Sequence, residues 1–285
     1  MAPCIAVVVL YRSAGEVLIC LRALTAQRGE MRVLAWDNAS PDASADLAAG
    51  CAGVEVVRSP ENLGFAASVN RAAAMAPGHD LLLVNPDCEL AQGAVDALRA
   101  AAGTSVGVVG SRLVDAAGAP QWDAWRFPSP GRTVLGALSG MGAAYRPSRT
   151  RKADLEVLDS GFVPFTAALL SREWFDRVGG LDEAFWVYGE DADYCYRVAR
   201  AGGSTGVATG SLGRHVGGAS SDATARAELQ LEAADRFRRK HFPAWQAAFT
   251  IVALRVGAAA RLAARRGGGD RFLEWRQVAA HYRRG

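Results

Sequence analysis

Short apolar segments alternate with amphipathic segments through the first half of the chain. Each apolar run is rich in Val and Leu and is followed by a polar turn and a segment with helical spacing. The pattern predicts strands at 5–11, 31–37, 54–58, 80–84 and 106–113, and helices at 16–26, 43–49, 64–76 and 93–102. Apolar strands that alternate with helices are typical of a doubly wound α/β domain with a mostly parallel sheet.

A segment rich in glycine and proline, 115–150, interrupts this alternation. We expect it to be a loop insertion near the functional site, where substrate-recognition segments are common. Regular structure is expected again as a strand at 162–170 and as helices at 172–178 and 191–201.

Charge is unevenly distributed along the chain. The net charge is +3, but residues 236–285 carry twelve Lys or Arg and two acidic residues, whereas residues 1–235 carry 20 basic and 27 acidic residues. On a helical wheel the tail separates an apolar side from a basic side. The apolar side holds Trp245, Phe249, Val252, Val256 and Ala263, and the basic side holds Arg255, Arg261, Arg265 and Arg266.

Two interpretations of this tail stay open. A basic amphipathic helix is typical of a peripheral contact with an anionic membrane surface, here the inner face. A helix that packs on the domain with a solvated basic face gives the same pattern. Nucleic acid is not expected as a partner, because the tail has none of the known nucleic-acid motifs and the rest of the chain is acidic. A homodimer is left open as well.

The cysteines and the first residues bear on the compartment. The five cysteines are odd in number and show no CxxC spacing, so neither a disulfide framework nor a zinc knuckle is indicated. The start of the chain lacks the pattern of a signal peptide, and no run of about 18 uncharged apolar residues occurs. A cytoplasmic location is expected.

Acidic clusters follow three of the apolar runs. They are Trp36-Asp37-Asn38, Asn85-Pro86-Asp87 and Glu190-Asp191-Ala192-Asp193. Ligands bind α/β sheets at the carboxyl ends of the strands. Carboxylates gathered at that edge indicate a site for a metal, a phosphate or a hydroxyl proton.

The turn after the first strand has neither a GxGxxG nor a GxxxxGK[ST] motif. A nucleotide can still be bound by other groups. Tyr11 offers a ring for stacking, Asp37 and Asn38 can hydrogen-bond a base, and Asn62 to Phe65 open a helix whose free N–H groups favour anions. Taken singly, these segments are explained more simply as a plain turn or a helix cap.

Several segments, taken in order, resemble one family. They are WDNASPD, PENLGFAASVNRA, LLLVNPDCEL, GFVPFTAALL followed by VGGLDEAFWVYGEDADYCYRVARAGG, and RHVGGAS. The series, from about Ile5 to Ser220, resembles the family 2 glycosyltransferases of the GT-A fold. Within them it is most similar to the rhamnosyltransferase-like branch, which includes actinobacterial enzymes that act on polyprenyl-linked cell-wall intermediates.

The resemblance implies a domain organisation. A GT-A domain is expected over 1–221, with a nucleotide-binding half at 1–113 and an acceptor and catalytic half at 114–221 that contains the insertion 115–150. A basic C-terminal helical extension is expected over 222–285.

The resemblance also assigns roles to residues. The donor-binding residues it implies are Tyr11, Asp37, Asn38, Asn62, Gly64, Asn70, Asn85 and Asp87. The metal ligands it implies are Asp87 and His215, which lies on a loop before Gly217, with Mg²⁺ or Mn²⁺ as the cofactor. The catalytic residues it implies are Asp191 as the base and Glu190 beside it, with Trp186 and Tyr188 on the acceptor side.

Two positions depart from the family pattern. Asn85 stands where the family has the first acid of its DxD motif, which removes a charge from the cation site. Phe165 stands where relatives usually have a smaller residue, so it either narrows the donor-sugar pocket or faces the core.

The implied function is inverting transfer from a nucleoside diphosphate sugar, favoured as deoxythymidine diphosphate rhamnose or a related deoxysugar. The acceptor is a hydroxyl of a glycan, a polyprenyl-linked sugar or a natural product. A divalent cation neutralises the leaving diphosphate, and Asp191 takes the hydroxyl proton, because Glu190 and an apolar wall of Phe185, Trp186 and Tyr188 raise its pKa.

Two alternatives remain. A sugar nucleotidyltransferase shares the broad architecture, but the first strand lacks the glycine-rich basic phosphate loop that it needs. A non-catalytic nucleotide-binding scaffold on the same fold is the other, and the presence of Asp87, Asp191 and His215 together argues against it.

Overall fold

A computed structural model describes residues 3–29, 31–139, 147, 149–217, 223–263 and 270–282. Within these ranges the strands are β1 (Cys4–Leu10), β2 (Met31–Asp37), β3 (Val54–Arg58), β4 (Asp80–Val84), β5 (Cys88–Leu90), β6 (Val106–Val114), β7 (Trp125–Arg126), β8 (Arg149–Lys152), β9 (Leu155–Leu158), β10 (Gly161–Phe162), β11 (Ala167–Leu170) and β12 (Ser204–His215). The helices are α1 (Val17–Thr25), α2 (Ser44–Ala49), α3 (Phe65–Ala74), α4 (Ala94–Ala101), α5 (Pro130–Ser139), α6 (Arg172–Val178), α7 (Glu190–Arg200), α8 (Ala223–His241), α9 (Ala244–Ala263) and α10 (Asp270–His281).

One large mixed sheet organises the first part of the chain. Its strand order is β3-β2-β1-β4-β11-β6-β12-β9-β8, and β5 pairs with β12 outside this path. Strands β1 to β4 are parallel, and β11 runs antiparallel between β4 and β6. The expected α/β architecture, with a mixed sheet flanked by helices and with C-terminal helices, is confirmed.

The central strand β1 explains why the apolar runs are continuous. Ala6, Val8 and Leu10 pack in a buried cluster with residues of α1 and α4, while Ile5 and Val7 are also buried. A parallel strand covered by helices on both faces has no polar side, so its sequence does not alternate.

Three expectations differ from the structure. The strand expected at 162–170 is divided into β10 and β11, since Pro164 lacks the N–H that a ladder needs. The insertion 115–150 contains β7 and α5. His215, expected on a loop, is the last residue of β12, a strand whose Gly, Ser and Thr content gave no strand signal.

The chain divides into two compact units. The first comprises Met1–Trp125 and Pro147–Ser220, and the second comprises Arg126–Arg146 and Ser221–Gly285. Residues from the expected insertion therefore group with the C-terminal helices. Within the second unit, Leu254 and Ala258 of α9 pack with Val278 and Tyr282.

The apolar side predicted for the tail is exposed on α9. Trp245, Phe249, Val252 and Val256 are 70%, 57%, 54% and 62% exposed, whereas Leu254 on the opposite side is buried. Arg265 and Arg266 lie outside the described residues, as do the side chains of Arg261 and Ala263. Among the described helices, none combines the length and the apolar character that a membrane span requires.

Candidate active site

The residues predicted to bind the nucleotide lie where three parallel strands end. Leu10 of β1 is paired with Asp37 of β2, which is paired with Arg58 of β3, so the three strands end at one level. Asp37 and the following Asn38 are both buried. The carboxylate of Asp37 accepts a hydrogen bond from the backbone N–H of Ser40, 3.3 Å away, which turns the chain at this edge.

Asn38 fastens the loop that leads into α3. Its Oδ1 accepts a hydrogen bond of 2.8 Å from Leu63 N–H, and its Nδ2 donates one of 2.8 Å to Asn62 Oδ1. Asn62 Oδ1 also accepts from Gly64 N–H at 3.0 Å. The amides of Asn38 and Asn62 are therefore engaged with each other and with backbone, and they shape this part of the edge.

Tyr11 follows β1 at the same edge. Its side chain is 37% exposed, and the guanidinium of Arg12 lies 5.5 Å from the ring centroid. Arg12 has a φ of +54°, a left-handed conformation that turns the chain sharply after the strand. An exposed aromatic ring in this position is suited to stacking.

Asp87 and His215 are brought together by strand pairing. Antiparallel pairing of β5 with β12 sets Cys88 opposite His215, and Val216 N–H donates to Asp87 O at 3.1 Å. As a result, His215 Nε2 lies 3.4 Å from Asp87 Oδ2. Both side chains are mostly buried, with access to solvent retained.

This pair fits a divalent cation that is shared with a phosphate ligand. Among the described residues, no group of three or more His, Cys, Asp or Glu that could hold a metal ion is found. Mg²⁺ is commonly held by one or two carboxylates together with substrate phosphates and water. Burial raises the pKa of the adjacent Cys88 thiol to about 12.

Gln121 is a residue that sequence reasoning missed. Its Nε2 donates to the backbone oxygen of His215 at 2.9 Å, and its Oε1 lies 3.0 Å from His215 Nδ1. It belongs to the segment expected to be an insertion, and nothing in its local sequence marks it.

The acidic residues of the third cluster lie at the start of α7. Tyr188 and Gly189 have φ values of +68° and +81°, and these two left-handed residues redirect the chain into the helix. Asp191 is partly buried, and its Oδ1 accepts from Ala192 N–H at 2.7 Å. Glu190 is 7% exposed, and its Oε2 has no hydrogen-bond partner among the described residues.

Burial raises the pKa of both Asp191 and Glu190 above the ordinary values of carboxyl groups. It raises the pKa of Asp191 to about 6, against the opposing effect of the hydrogen bond from Ala192. It raises the pKa of Glu190 well above its usual range, and the neighbouring charge of Asp191 raises it further. At neutral pH Asp191 is therefore ionised and able to accept a proton.

Trp186 connects the α7 side of the site to the nucleotide side. Its backbone oxygen accepts a hydrogen bond of 2.7 Å from Phe65 N–H at the start of α3. A Cβ added at Gly64 would lie 2.6 Å from that same oxygen, so only glycine permits the contact. The Trp186 side chain itself remains 51% exposed.

Comparison with known protein families shows which family the chain belongs to. Residues 5–179 match the family described as glycosyl transferase family 2. The chain belongs to this family. Residues 165–216 also match a family described as the N-terminal domain of galactosyltransferase.

Curated relatives of this family 2 chain include a rhamnosyltransferase. The N-acetylglucosaminyl-diphospho-decaprenol L-rhamnosyltransferase of Mycobacterium tuberculosis is 30% identical over 191 residues. The match covers 60% of this chain and 61% of the relative, and the same protein from a second strain matches equally.

Solved structures of glycosyltransferases share the fold. A mannosyltransferase of Pyrobaculum calidifontis, in complex with GDP-Man and Mn²⁺, has a TM-score of 0.61 at 15% identity, over 99% of this chain and 84% of that one. Residues 1–349 of S. aureus TarS, in complex with UDP-GlcNAc, have a TM-score of 0.53 at 13% identity, over 99% and 92%. The GT-A fold expected from the sequence is thereby confirmed.

Two polar residues of this family 2 chain brace the site. Asn70, expected to bind the donor, uses its amide to donate to Leu181 O and to accept from Leu181 N–H, both at 2.9 Å. Asp193 accepts a hydrogen bond of 2.8 Å from Arg197 and is fully buried. Both hold the loop before α7 and the helix itself in place.

The structure shows the surroundings of Phe165 and Asn85, the two positions that depart from the family pattern. Phe165 is buried and packs edge-on against Tyr194, with ring centroids 5.9 Å apart, so it faces the core. Asn85 is held by its backbone, since its N–H donates to Thr166 O at 2.9 Å. The structure therefore groups Asp37, Asn38, Asn62, Gly64 and Trp186 in one connected set, and Asp87, His215 and Gln121 in another.

Proposed function

We propose that this protein is an inverting, divalent-metal-dependent glycosyltransferase that uses a nucleoside diphosphate sugar. The observation that carries the proposal is the placement of Asp191 at the start of α7, with a pKa raised to about 6, on a segment hydrogen-bonded to the start of α3. A carboxylate with that pKa is well matched to general-base catalysis near neutral pH.

The reaction proceeds by a single displacement. The acceptor hydroxyl oxygen attacks the anomeric carbon of the donor as the bond from that carbon to the diphosphate breaks, and the hydroxyl proton passes to Asp191. The nucleoside diphosphate leaves with the bonding electrons, and the anomeric centre is inverted because attack occurs opposite the leaving group. Glu190 lies beside the base, and its burial raises the pKa of its carboxyl well above the usual range.

Asp87 and His215 are the residues that would hold the cation. A bound Mg²⁺ or Mn²⁺ neutralises charge that develops on the leaving diphosphate. A carboxylate donor suits either ion, and the Pyrobaculum mannosyltransferase is described with Mn²⁺. Tyr11 and Asp37, at the ends of β1 and β2, would contact the nucleoside.

The favoured donor is deoxythymidine diphosphate rhamnose or a related deoxysugar nucleotide, and the favoured acceptor is a polyprenyl-linked sugar. Both assignments follow from similarity to the mycobacterial L-rhamnosyltransferase, whose name includes a decaprenol-linked acceptor.

The test is transfer from a panel of nucleotide sugars to a polyprenyl diphosphate sugar with Mn²⁺ present. We expect release of a nucleoside diphosphate together with a glycosylated lipid of inverted anomeric configuration. Release of pyrophosphate from a nucleoside triphosphate and sugar phosphate would identify a nucleotidyltransferase instead. Nucleotide binding without transfer from any donor would indicate a scaffold.

We also propose that α9 contacts an anionic membrane surface. Trp245, Phe249, Val252 and Val256 are spaced at helical intervals on one exposed side, and residues 236–285 carry a large excess of basic residues. Exposed aromatic and aliphatic side chains on a basic helix bind anionic lipid by insertion together with charge attraction. A lipid-linked acceptor would place the substrate at the same surface.

Co-sedimentation with vesicles tests this contact. The protein should bind vesicles rich in phosphatidylglycerol, bind less at high salt, and not bind pure phosphatidylcholine. Replacing Trp245 and Phe249 with Ser should abolish binding, whereas Ile19→Ser, at an equally exposed apolar residue of α1, should not. Absence of vesicle binding, or a dimer in solution that the same double variant dissociates, would overturn the proposal.

A further inference from the structure

The side chain of Gln121 contacts His215 through both ends of its amide. Residues after β6 fold back on it, because Asp115 N–H donates to Ala119 O and Gln121 N–H donates to Leu113 O, both at 2.9 Å. This turn carries Gln121 to the end of β12. The side chain is partly buried, so water competes little for its two contacts.

The chemistry of these two contacts determines the orientation of the amide. A backbone oxygen only accepts hydrogen bonds, so the amide group that faces His215 O must be the NH₂ of Gln121. The amide oxygen then faces His215 Nδ1 at 3.0 Å. Because that oxygen is also only an acceptor, Nδ1 must carry a proton.

The tautomer follows from this orientation. With the proton on Nδ1, neutral His215 presents the lone pair of Nε2 towards Asp87 Oδ2, 3.4 Å away. Two acceptor atoms that face each other across this distance repel, unless a proton or a cation lies between them. The arrangement suits a cation ligand, since metal-bound histidines are generally oriented through a hydrogen bond at their other ring nitrogen.

We propose that Gln121 is a positioning residue that holds His215 in the Nδ1–H tautomer, so that Nε2 is available to the divalent cation. The inference rests on the proposed function for the identity of the cation and its diphosphate partner. Without the Gln121 oxygen, the favoured state is the opposite tautomer, in which His215 Nε2–H donates to Asp87 Oδ2. In that state neither Nε2 nor the lone pair of Oδ2 that faces it is available to a cation.

Nitrogen-15 NMR of the ring nitrogens tests the tautomer directly. The chain has only four histidines, so a His215→Ala variant assigns the signals. At about pH 8, where an ordinary imidazole is neutral, wild-type His215 should show the Nδ1–H pattern. Gln121→Met, of similar length but without an acceptor, should convert it to the Nε2–H pattern, and Gln121→Glu, which keeps the acceptor, should restore Nδ1–H.

Binding of Mn²⁺ in the presence of a nucleoside diphosphate, measured by electron paramagnetic resonance, is the second readout. Gln121→Met should lower the affinity for Mn²⁺ by roughly ten- to a hundredfold. Gln27→Met is the matched control, because the Gln27 amide also bridges backbone groups, donating to Ala91 O and accepting from Gly93 N–H. It should leave the His215 signals and the Mn²⁺ affinity unchanged.

The NMR and Mn²⁺ measurements can fail independently of the proposed sugar transfer. The same measurements on an Asp191→Asn background should give the same tautomer and the same Mn²⁺ affinity, whether or not any sugar is transferred. An Nε2–H pattern in the wild type would overturn the inference. Unchanged Mn²⁺ affinity in Gln121→Met would overturn it equally.

Discussion

The backbone oxygen of Trp186 accepts a hydrogen bond of 2.7 Å from the N–H of Phe65. That N–H belongs to the first turn of α3, where the donors have no partner within the helix. The loop before α7 therefore supplies the missing acceptor, and the acidic segment is held to the nucleotide side of the sheet.

Replacing Gly64 with Ala should weaken the link to Trp186. Gly64 has φ +78° and ψ 174°, a region that is essentially restricted to glycine, and the new Cβ would collide with the Trp186 oxygen. We expect a loss of roughly 3 kcal/mol in unfolding free energy, together with reduced transfer. Gly78→Ala is the control, because Gly78 has φ +76° but open space around it. Equal losses in urea unfolding for the two variants would exclude a specific role for the Trp186 contact.

Asp191→Asn should abolish transfer and stabilise the fold at neutral pH. Folding raises the pKa of Asp191 from its ordinary value of 3.8 to about 6, so the folded state favours the neutral carboxyl. The stability from this preference is fully present below about pH 4 and is lost as the pH rises through 6. A shift of this size corresponds to roughly 3 kcal/mol at neutral pH, which an amide recovers because it does not ionise. The gain in thermal stability should therefore vanish near pH 4.

Asp193→Asn, two residues along α7, should have the opposite effect on stability. Arg197 donates to Asp193, to Val178 O and to Gly180 O, at 2.6–2.8 Å, so it ties α7 to the turn after α6. Removing the buried negative charge leaves the guanidinium without its counterion and should cost about 3 kcal/mol. Chemical denaturation measures the loss. A stabilising Asp193→Asn would contradict the structural role assigned to this residue.

The pH dependence of transfer should report the ionisation of Asp191. The base acts only when deprotonated, so kcat/KM should fall tenfold for each unit below about pH 6 and be level above it. Initial rates measured at saturating Mn²⁺ check the profile. Because Asp191→Asn should abolish transfer, activity retained by that variant with the same inflection would assign the inflection to another group.

Removal of the cation should stop transfer, and Mn²⁺ should restore it in the wild type. Asp87→Asn and His215→Ala should each weaken Mn²⁺ binding, since the two side chains form one pair. The double variant should lose much less than the sum of the single losses, because residues that share a ligand are not additive. Isothermal titration with a nucleoside diphosphate present gives the three affinities. Strict additivity would indicate that the two residues do not share one ion.

The helical extension should depend on a buried charge. Asp235 accepts from Tyr282 Oη at 2.7 Å, pairs with the Arg238 guanidinium, and lies 3.1 Å from His281 Nε2, so it joins α8 to the end of α10. Asp235→Asn should destabilise these helices by about 3 kcal/mol, whereas the exposed Glu232→Gln should have little effect. Hydrogen exchange should show faster opening in α10 for the first variant only. Unaltered exchange there would show that this cluster does not hold the helix.

The sequence by itself determined the alternation of β1 to β4 with α1 to α3, and it indicated the family. Buried parallel strands are encoded locally, because a strand covered on both faces has no polar positions, and so the runs of β1 and β4 and of residues 33–36 in β2 were visible in the pattern. Acidic residues that follow such strands mark the binding edge, since the topology brings the strand ends to one side. Asp37 and Asp87 were identified as candidates on that basis, whereas the apolar run before Asp191 is a loop that leads into α7.

Only the tertiary structure decided which side chains meet. Strand β12 has weak local propensity and exists through pairing with β6 and β9, so the meeting of His215 with Asp87 and Gln121 had no local signal. The engagement of Asn38 with Asn62, and of Phe65 with Trp186, likewise joins residues distant in sequence. Local sequence encodes the periodicity of an element, whereas hydrogen bonds between distant residues depend on the packing of the whole chain.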